Sequence, residues 1–150
     1  MPNHRYPPQP QQRLIAFHFN GPTCQNEGDC PQGLQFYFAN VMEAEFQLDS
    51  IEAILDTETS CLVTRGAGSS GAFYAVNNFI TTGTFGSSEP KEASRIANEY
   101  RSARDRIDEC AVLGPKNVNL FYVDFWSYGD IVQVVQEYNM GLGTYQEQEE

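Results

Sequence analysis

The chain has 150 residues, of which 41% are apolar and 13% aromatic, enough for one domain with a hydrophobic core. Its formal net charge of −11, from 20 acidic and 9 basic residues, argues against nucleic acid or an anionic membrane surface as a partner. No apolar run is long enough to span a bilayer, so no transmembrane segment is expected.

Both ends of the chain are predicted to lie outside the folded domain. Residues 1–12 are rich in Pro and Gln and lack the apolar segment of a signal peptide, which predicts a disordered arm. Residues 144–150 form an acidic tail. The folded domain is therefore expected at 13–143.

The first half of the chain begins with a clear strand and then becomes ambiguous. Residues 13–20 are an apolar run that predicts a strand, and a loop rich in Gly, Pro and Cys extends from there to Gly33. Residues 34–48 suit either a strand or a helix. A helix is predicted to begin at Ile51, with Asp49 or Ser50 as its N-cap.

The second half of the chain alternates strands and helices. The predicted elements are an extended piece at 61–64, a loop at 65–71, a buried strand at 72–80, a helix at 89–110, a strand at 118–125 and a helix at 130–139. The last strand is apolar on both faces, which is typical of a parallel sheet. The arginines of helix 89–110 interleave with acidic residues, which predicts a solvated face. The alternation predicts an α/β fold.

Four cysteines set an expectation about compartment. Cys24 and Cys30 flank a short polar loop that suits a disulfide, and zinc is the alternative, although the spacing is wrong for a zinc ribbon and no His lies nearby. We predict Cys24–Cys30 and Cys61–Cys110 bridges. Disulfides imply an oxidising compartment, so a secreted or lumenal protein is expected. Because no signal peptide is present, we expect the natural N-terminus to be missing.

Polar residues at the carboxyl ends of the strands are the candidate site. In the last strand, alternation places Phe121 and Val123 towards helices and the intervening residues inward. In the first strand, the face of Ala16 rather than that of Phe17 is expected inward. The candidate residues for substrate binding are His18, Asn20, Arg65, either Asn77 or Asn78, Tyr122, Asp124 and Trp126.

Several of these residues have a structural alternative. His18 is either a hydrogen-bonded core histidine or part of a site. Asp124 is a carboxylate on an apolar strand, which favours a site role or an ion pair with Arg65. Arg65 either presents its guanidinium to a phosphate or lies in a surface turn. A Ser-His-Asp hydrolase is disfavoured, because the chain has no G-x-S-x-G motif and only His4 and His18 are available.

Five segments in order resemble the phospholipase-C-like phosphodiesterases, the phosphatidylinositol-specific phospholipase C X-type TIM barrels. The segments are FHFNGPTC…CPQGLQFYF, EAEFQLDSIEAI, SCLVTRG, FYAVNNF and NVNLFYVDFWSYGDIVQVVQEYN. They span about residues 13–140, and the last is the most specific, since it resembles the closing strand, acidic tip and final helix of the family. Asp124 matches the last-strand acid of the family, and Arg65 its Arg-Gly turn.

The resemblance implies that residues 13–143 are the C-terminal half, about four βα units, of a (β/α)8 barrel. Family members cleave phosphodiesters by acid–base catalysis with two histidines, some with a bound divalent cation. Those histidines belong to the half that this chain does not contain. Neither His4 nor His18 lies in a matching motif, so no catalytic residue is assigned.

The expected function is therefore part of a phosphoric diester hydrolase for phospholipid or glycerophosphodiester-type substrates, inactive as an isolated chain. The alternative is a non-catalytic secreted binding or assembly protein built on the same half-barrel. The residues themselves indicate no cofactor or metal site, and only the resemblance implies a divalent cation. If 14–20 and 118–125 are outer strands with open edges, we expect a homodimer or a complex with an N-terminal half-barrel.

Overall fold

A computed structural model describes residues 15–19, 30–31, 34–82, 87–88 and 91–141 of the chain. The predicted arm at 1–12 and the tail at 144–150 lie outside these residues, as do Asn20 and Cys24. Within them, no helix has the length and apolar character needed to cross a membrane.

The described elements alternate between short strands and helices. The strands are β1 Ala16–His18, β2 Leu34–Phe36, β3 Val41–Ala44, β4 Val63–Gly66, β5 Phe73–Asn78, β6 Thr81–Thr82, β7 Ser87–Ser88 and β8 Leu120–Val123. The helices are α1 Tyr37–Asn40, α2 Ile51–Leu55, α3 Thr57–Ser60, α4 Lys91–Ala97, α5 Tyr100–Leu113 and α6 Ile131–Asn139. The Ser50 hydroxyl accepts a hydrogen bond from the Ala53 N–H and caps α2, one of the two predicted N-caps.

The central sheet has four strands in the order β4-β3-β5-β8. Strands β3, β5 and β8 are parallel, and β4 runs antiparallel to β3. Strands β1 and β2 form a separate parallel pair, and β6 and β7 form an antiparallel pair. The α/β class is therefore confirmed.

Two details of the predicted sheet are wrong. Strand β1, the described part of the predicted outer strand, does not belong to the main sheet, because it pairs with β2 and β4 occupies the edge beside β3. Strand β4 also includes Arg65 and Gly66, which belong to the segment predicted as a loop, 65–71. Gly66 has a φ of +98°, and a Cβ there would lie 2.0 Å from the Val41 carbonyl oxygen. This glycine permits a close strand contact and does not mark a loop.

One face of the sheet is covered by α5 and α6. Met42, Tyr74 and Val76 from the strands pack there with Ile107 of α5 and Val134 of α6. The Cys61–Cys110 disulfide, with a Cα–Cα distance of 5.1 Å, is confirmed and joins the end of α3 to α5. Cys30 is also disulfide-bonded, while the predicted Cys24 partner lies outside the described residues.

The predicted helix at 89–110 is two helices, α4 and α5, separated at Asn98. The Asn98 side-chain amide donates to the Asp124 carbonyl at 2.8 Å. The Asn98 backbone carbonyl accepts from the Asp130 N–H, also at 2.8 Å. Asn98 thus holds the loop after β8. The solvated arginine face is wrong in part, since Arg104 and Arg106 are only 6% and 1% exposed.

The opposite face of the sheet packs against an aromatic layer. Tyr37, Val41 and Ala75 form its buried centre, and Phe17 of β1 contacts Tyr37 and Phe73 edge to face. Phe17 therefore points to the sheet, and by alternation His18 lies on the other face of β1. The face of β1 that packs on the sheet is therefore that of Phe17 and not the predicted face of Ala16 and His18, because the Phe17 ring packs among the aromatic residues there.

Candidate functional site

An open cleft of about 330 Å³ lies near the carboxyl ends of β3, β5 and β8. This is the edge at which α/β proteins hold their ligands. The described residues that line the cleft are Phe19, Glu43, Phe46, Arg65, Asn77, Phe79, Tyr122 and Val123.

The strand register brings three polar side chains to this face of the sheet. Glu43 is opposite Ala75, and Asn77, two residues further along β5, is opposite Tyr122. Because side chains alternate along a strand, Glu43, Asn77 and Tyr122 share one face. Neighbouring Asn78 has the other parity, and it donates to the Ala97 carbonyl at 3.0 Å and to the Asn98 side chain at 3.2 Å. Of the two asparagines, Asn77 is therefore the one in the cleft.

A buried carboxylate lies at the floor of the cleft. Glu43 is 1% exposed and forms a bidentate ion pair with Arg65, whose Nε donates to Oε2 at 2.8 Å and whose Nη2 donates to Oε1 at 2.7 Å. Asn77 Nδ2 donates to the same Oε1 at 3.0 Å. Three hydrogen bonds and one opposite charge thus compensate a carboxylate that would otherwise be costly to bury.

The Arg65 guanidinium also stacks on aromatic rings. Its Cζ lies 3.9 Å from the centre of the Phe46 ring and 5.4 Å from that of Phe38. The Arg65 side chain is 37% exposed, and its Nη1 makes no hydrogen bond to any residue in the described part of the chain. The N–H groups of Nη1 are thus donors that Arg65 retains for a ligand.

Tyr122 lines the cleft, and fully buried Tyr37 lies behind it in the aromatic layer. Burial raises the pKa of Tyr37 and of Tyr122, and the negative charge of nearby Glu43 acts in the same direction. Both hydroxyls therefore stay protonated at neutral pH. The cleft offers neutral hydroxyl and amide groups around one compensated ion pair.

The other predicted site residues lie elsewhere or have different partners. Arg65 binds Glu43, so the ion pair predicted between Arg65 and Asp124 is not formed. The Asp124 carbonyl accepts from Asn98, and Trp126 is 64% exposed and does not line the cleft. The buried His18 Nδ1 has no hydrogen-bond partner among the described residues, which differs from the hydrogen-bonded core histidine considered above.

Glu43 was missed by sequence reasoning, although the signal was present. It interrupts the apolar residues Val41 to Ala44, just as Asp124 interrupts its strand. A carboxylate in an apolar strand predicts a partner in either case. Because the sequence of 34–48 suits either a strand or a helix, β3 was not predicted. Without β3, the alternation that places Glu43 on the face of the sheet away from α5 and α6 could not be used.

The cleft is better suited to binding than to proton transfer. Its acidic residue is enclosed and accepts three hydrogen bonds, which leaves a poor general base. Within the described ranges, no three His, Cys, Asp or Glu side chains are grouped so that they could hold a metal ion. Comparisons with protein-family models, with curated proteins and with solved structures find no match to the chain.

Proposed function

We propose that this chain is the C-terminal part, about four βα units, of a phospholipase-C-like phosphoric diester hydrolase, in which it supplies one wall of the substrate cleft. The cleft at the carboxyl ends of β3, β5 and β8 carries this proposal, because that is where a βα barrel binds its substrate. The sequence resemblance, in which Arg65 and Gly66 match the Arg-Gly pair of the family, supports it, and in the structure both residues lie in strand β4.

In this proposal the wall binds and orients the substrate and does not perform the acid–base chemistry. General acid–base catalysis needs two positioned proton-transfer groups, and the described residues that line the cleft include no histidine. An N-terminal half-barrel, in the same protein or in a partner chain, would supply those groups and any divalent cation. Strand β8 at the edge of the sheet is the surface on which that half, or a second copy, would pair. The Cys61–Cys110 disulfide supports a secreted or lumenal location.

One observation favours the alternative, a non-catalytic binding protein on the same scaffold. The Arg65 charge is already compensated by Glu43, whereas an arginine dedicated to a phosphodiester would be expected to keep its fork of donors open. If the chain is part of a hydrolase, adding a chain that supplies the other half-barrel should give hydrolysis. If it is a binding protein, no such addition should give hydrolysis.

The test uses bis(4-nitrophenyl) phosphate and backbone amide NMR of the purified chain. We expect shift changes at Arg65, Asn77 and Tyr122 without release of nitrophenolate. Arg65→Lys should weaken binding, because lysine lacks the planar fork that holds Glu43 and stacks on Phe46. Arg95→Lys is the matched control, since Arg95 is 46% exposed and pairs with Glu92 and Glu99, which lie three and four residues away along the chain.

Two outcomes would contradict the proposal. If the diester shifts no cleft resonance, the cleft is not its binding site. If the isolated chain releases nitrophenolate, the chemistry lies in this half and the assignment of a binding wall is wrong.

A further inference from the structure

The walls of the cleft are mainly aromatic. Phe46 and Phe79 contact each other edge to face, with ring centres 5.9 Å apart. Phe19 lines the cleft and stacks on Tyr37 at 4.0 Å, so its ring is held in place. Tyr122 adds a fourth ring. Such walls favour a flat or cyclic group that contacts the ring faces and edges.

The electrostatics of the cleft disfavour an anion. The one cation that lines the described cleft, Arg65, is bound at 2.7 and 2.8 Å to the Glu43 carboxylate, so the pair has no net charge. An anion bound at Arg65 Nη1 would also lie near that carboxylate, whose repulsion offsets the attraction of the guanidinium. A neutral hydrogen-bond acceptor has no such penalty.

The size of the cleft sets a further limit. Its volume of about 330 Å³ is near the lower end of the range for ligand sites. That space suits one substituted ring and not a complete phospholipid. The polar groups that remain for a ligand are few, with Arg65 Nη1 as the clearest donor.

We infer that this cleft binds the uncharged, ring-bearing part of a substrate, an aryl or cycloaliphatic group with a hydrogen-bond acceptor directed at Arg65 Nη1. The inference rests on the proposed function in that it treats the cleft as part of a phosphodiester site. It adds that the phosphoryl group lies outside this cleft, towards the half that supplies the chemistry. The ring contacts then contribute affinity and select the substituent.

The experiment divides bis(4-nitrophenyl) phosphate into its two halves. 4-Nitroanisole carries the neutral ring and its acceptors, and dimethyl phosphate carries the charged diester without a ring. Each is titrated into the 150-residue chain, with amide shifts of Arg65, Asn77, Phe79 and Tyr122 as the readout. We expect 4-nitroanisole and the whole diester to shift these resonances, and dimethyl phosphate to leave them unchanged.

A matched pair of variants locates the ring. Phe79→Leu keeps an apolar side chain of similar volume but loses the aromatic wall, and it should weaken 4-nitroanisole binding about fivefold. Phe125→Leu is the control, because Phe125 is outside the cleft and its ring contacts Tyr128. If the two variants weaken binding equally, the ring does not occupy this cleft and the inference is overturned.

The four outcomes of the titrations separate the inference from the proposed function. If dimethyl phosphate binds in the cleft as tightly as 4-nitroanisole, the inference is overturned and the proposed function remains. If 4-nitroanisole binds but the whole diester does not, the inference holds and the proposed function fails. If neither half nor the whole binds, both are wrong. Binding of the ring and the whole, but not of dimethyl phosphate, supports both.

Discussion

Glu43 and Arg106 are the two most deeply buried charges among the described residues, and they differ in sign and in surroundings. Arg106 of α5 is 1% exposed and donates to neutral acceptors, which are the Ile54 carbonyl, the Ser60 hydroxyl at 2.5 Å and the Asn77 carbonyl at 2.8 Å. Glu43 is equally buried but pairs with Arg65, a cation whose side chain is 37% exposed at the edge of the cleft. Asn77 connects the two, since its carbonyl serves Arg106 and its side chain serves Glu43.

The two surroundings indicate different roles, a structural one for Arg106 and one at the cleft for Glu43. Arg106 joins α5 to the α2–α3 segment and to the end of β5, and burial lowers its pKa to about 10, so it remains protonated at neutral pH. An enclosed cation with neutral partners serves packing. A carboxylate whose cationic partner reaches solvent at a cleft can instead respond to a ligand. Glu43 and Arg106 are equally buried, so it is the exposure of Arg65, the partner of Glu43, that distinguishes the pair at the cleft.

The largest loss of stability is expected from removing the Cys61–Cys110 disulfide, which lies on the helix side, the face of the sheet that α5 and α6 cover. The bond joins residues separated by 49 positions, and a loop of that length corresponds to about 4 kcal/mol in the chain-entropy description. Cys61→Ala combined with Cys110→Ala should lower the free energy of unfolding by about that amount, measured by urea denaturation. Val112→Ala, at a side chain that is 83% exposed, should change little. A loss below about 1 kcal/mol would mean that the bond does not stabilise this region.

Replacement of Arg106 tests the structural charge directly. Arg106→Met keeps an unbranched apolar stem but removes three buried hydrogen bonds, of which only the one to the Ile54 carbonyl is backed by a second donor, the Ser60 hydroxyl, so it should cost about 3 kcal/mol of stability. Arg101→Met on the same helix is the matched control, because Arg101 is 84% exposed and its pair with Asp105 has an N–O distance of 3.7 Å. Equal losses for the two variants in thermal or urea unfolding would contradict the role given to Arg106.

The sequence predicts the helix side better than the cleft side, for a physical reason. Strand β8 and helix α6 agree with prediction within a few residues, because a continuous apolar run and helical spacing are local signals. The burial of Arg106 was not predictable, since its acceptors are carbonyls of segments about 30 and 50 residues away. The alternation of arginines with acidic residues along α5 is a property of that helix alone, so it cannot predict contacts with carbonyls from other segments.

The cleft depends on register, which no local pattern specifies. Glu43 and Asn77 meet only because β3 and β5 are adjacent and aligned at Glu43 and Ala75. The sequence did predict an inward Tyr122 and an inward asparagine, from parity alone. The pair between Arg65 and Asp124, one of the two alternatives given for Asp124, is not formed, because the strand order β4-β3 places Arg65 beside Glu43.

The Glu43–Arg65 pair should contribute less to stability than the enclosed Arg106. We expect Glu43→Gln and Arg65→Gln to cost about 2 kcal/mol each, below the range for fully buried pairs because Arg65 is partly solvated. The double variant should cost clearly less than their sum, and urea unfolding of all four proteins measures this coupling. The pair Glu92→Gln and Arg95→Gln, exposed on α4, is the control and should show almost no coupling. Strict additivity for Glu43 and Arg65 would mean that they do not act as a pair.

The smallest expected effect is a pH dependence from Tyr74, on the helix side of the sheet. Its hydroxyl donates to the Cys61 carbonyl at 2.5 Å, and burial raises its pKa from 10.0 to about 12. The folded state therefore keeps a proton that the unfolded state loses above pH 10, so the contribution of Tyr74 is complete below pH 10 and lost as the pH rises towards 12.

Unfolding of the wild type and of Tyr74→Phe at pH 9 and pH 11 measures the contribution of the Tyr74 hydroxyl, because the other tyrosines are common to both proteins. The wild type should lose about 1 kcal/mol more than the variant between these two pH values. Tyr128→Phe is the control, since Tyr128 is 40% exposed and should follow the wild type. If Tyr74→Phe loses as much stability as the wild type, the Tyr74 hydroxyl titrates as it does in water. The helix side would then be open to solvent there, and the contrast between an enclosed side and a cleft side would not hold at Tyr74.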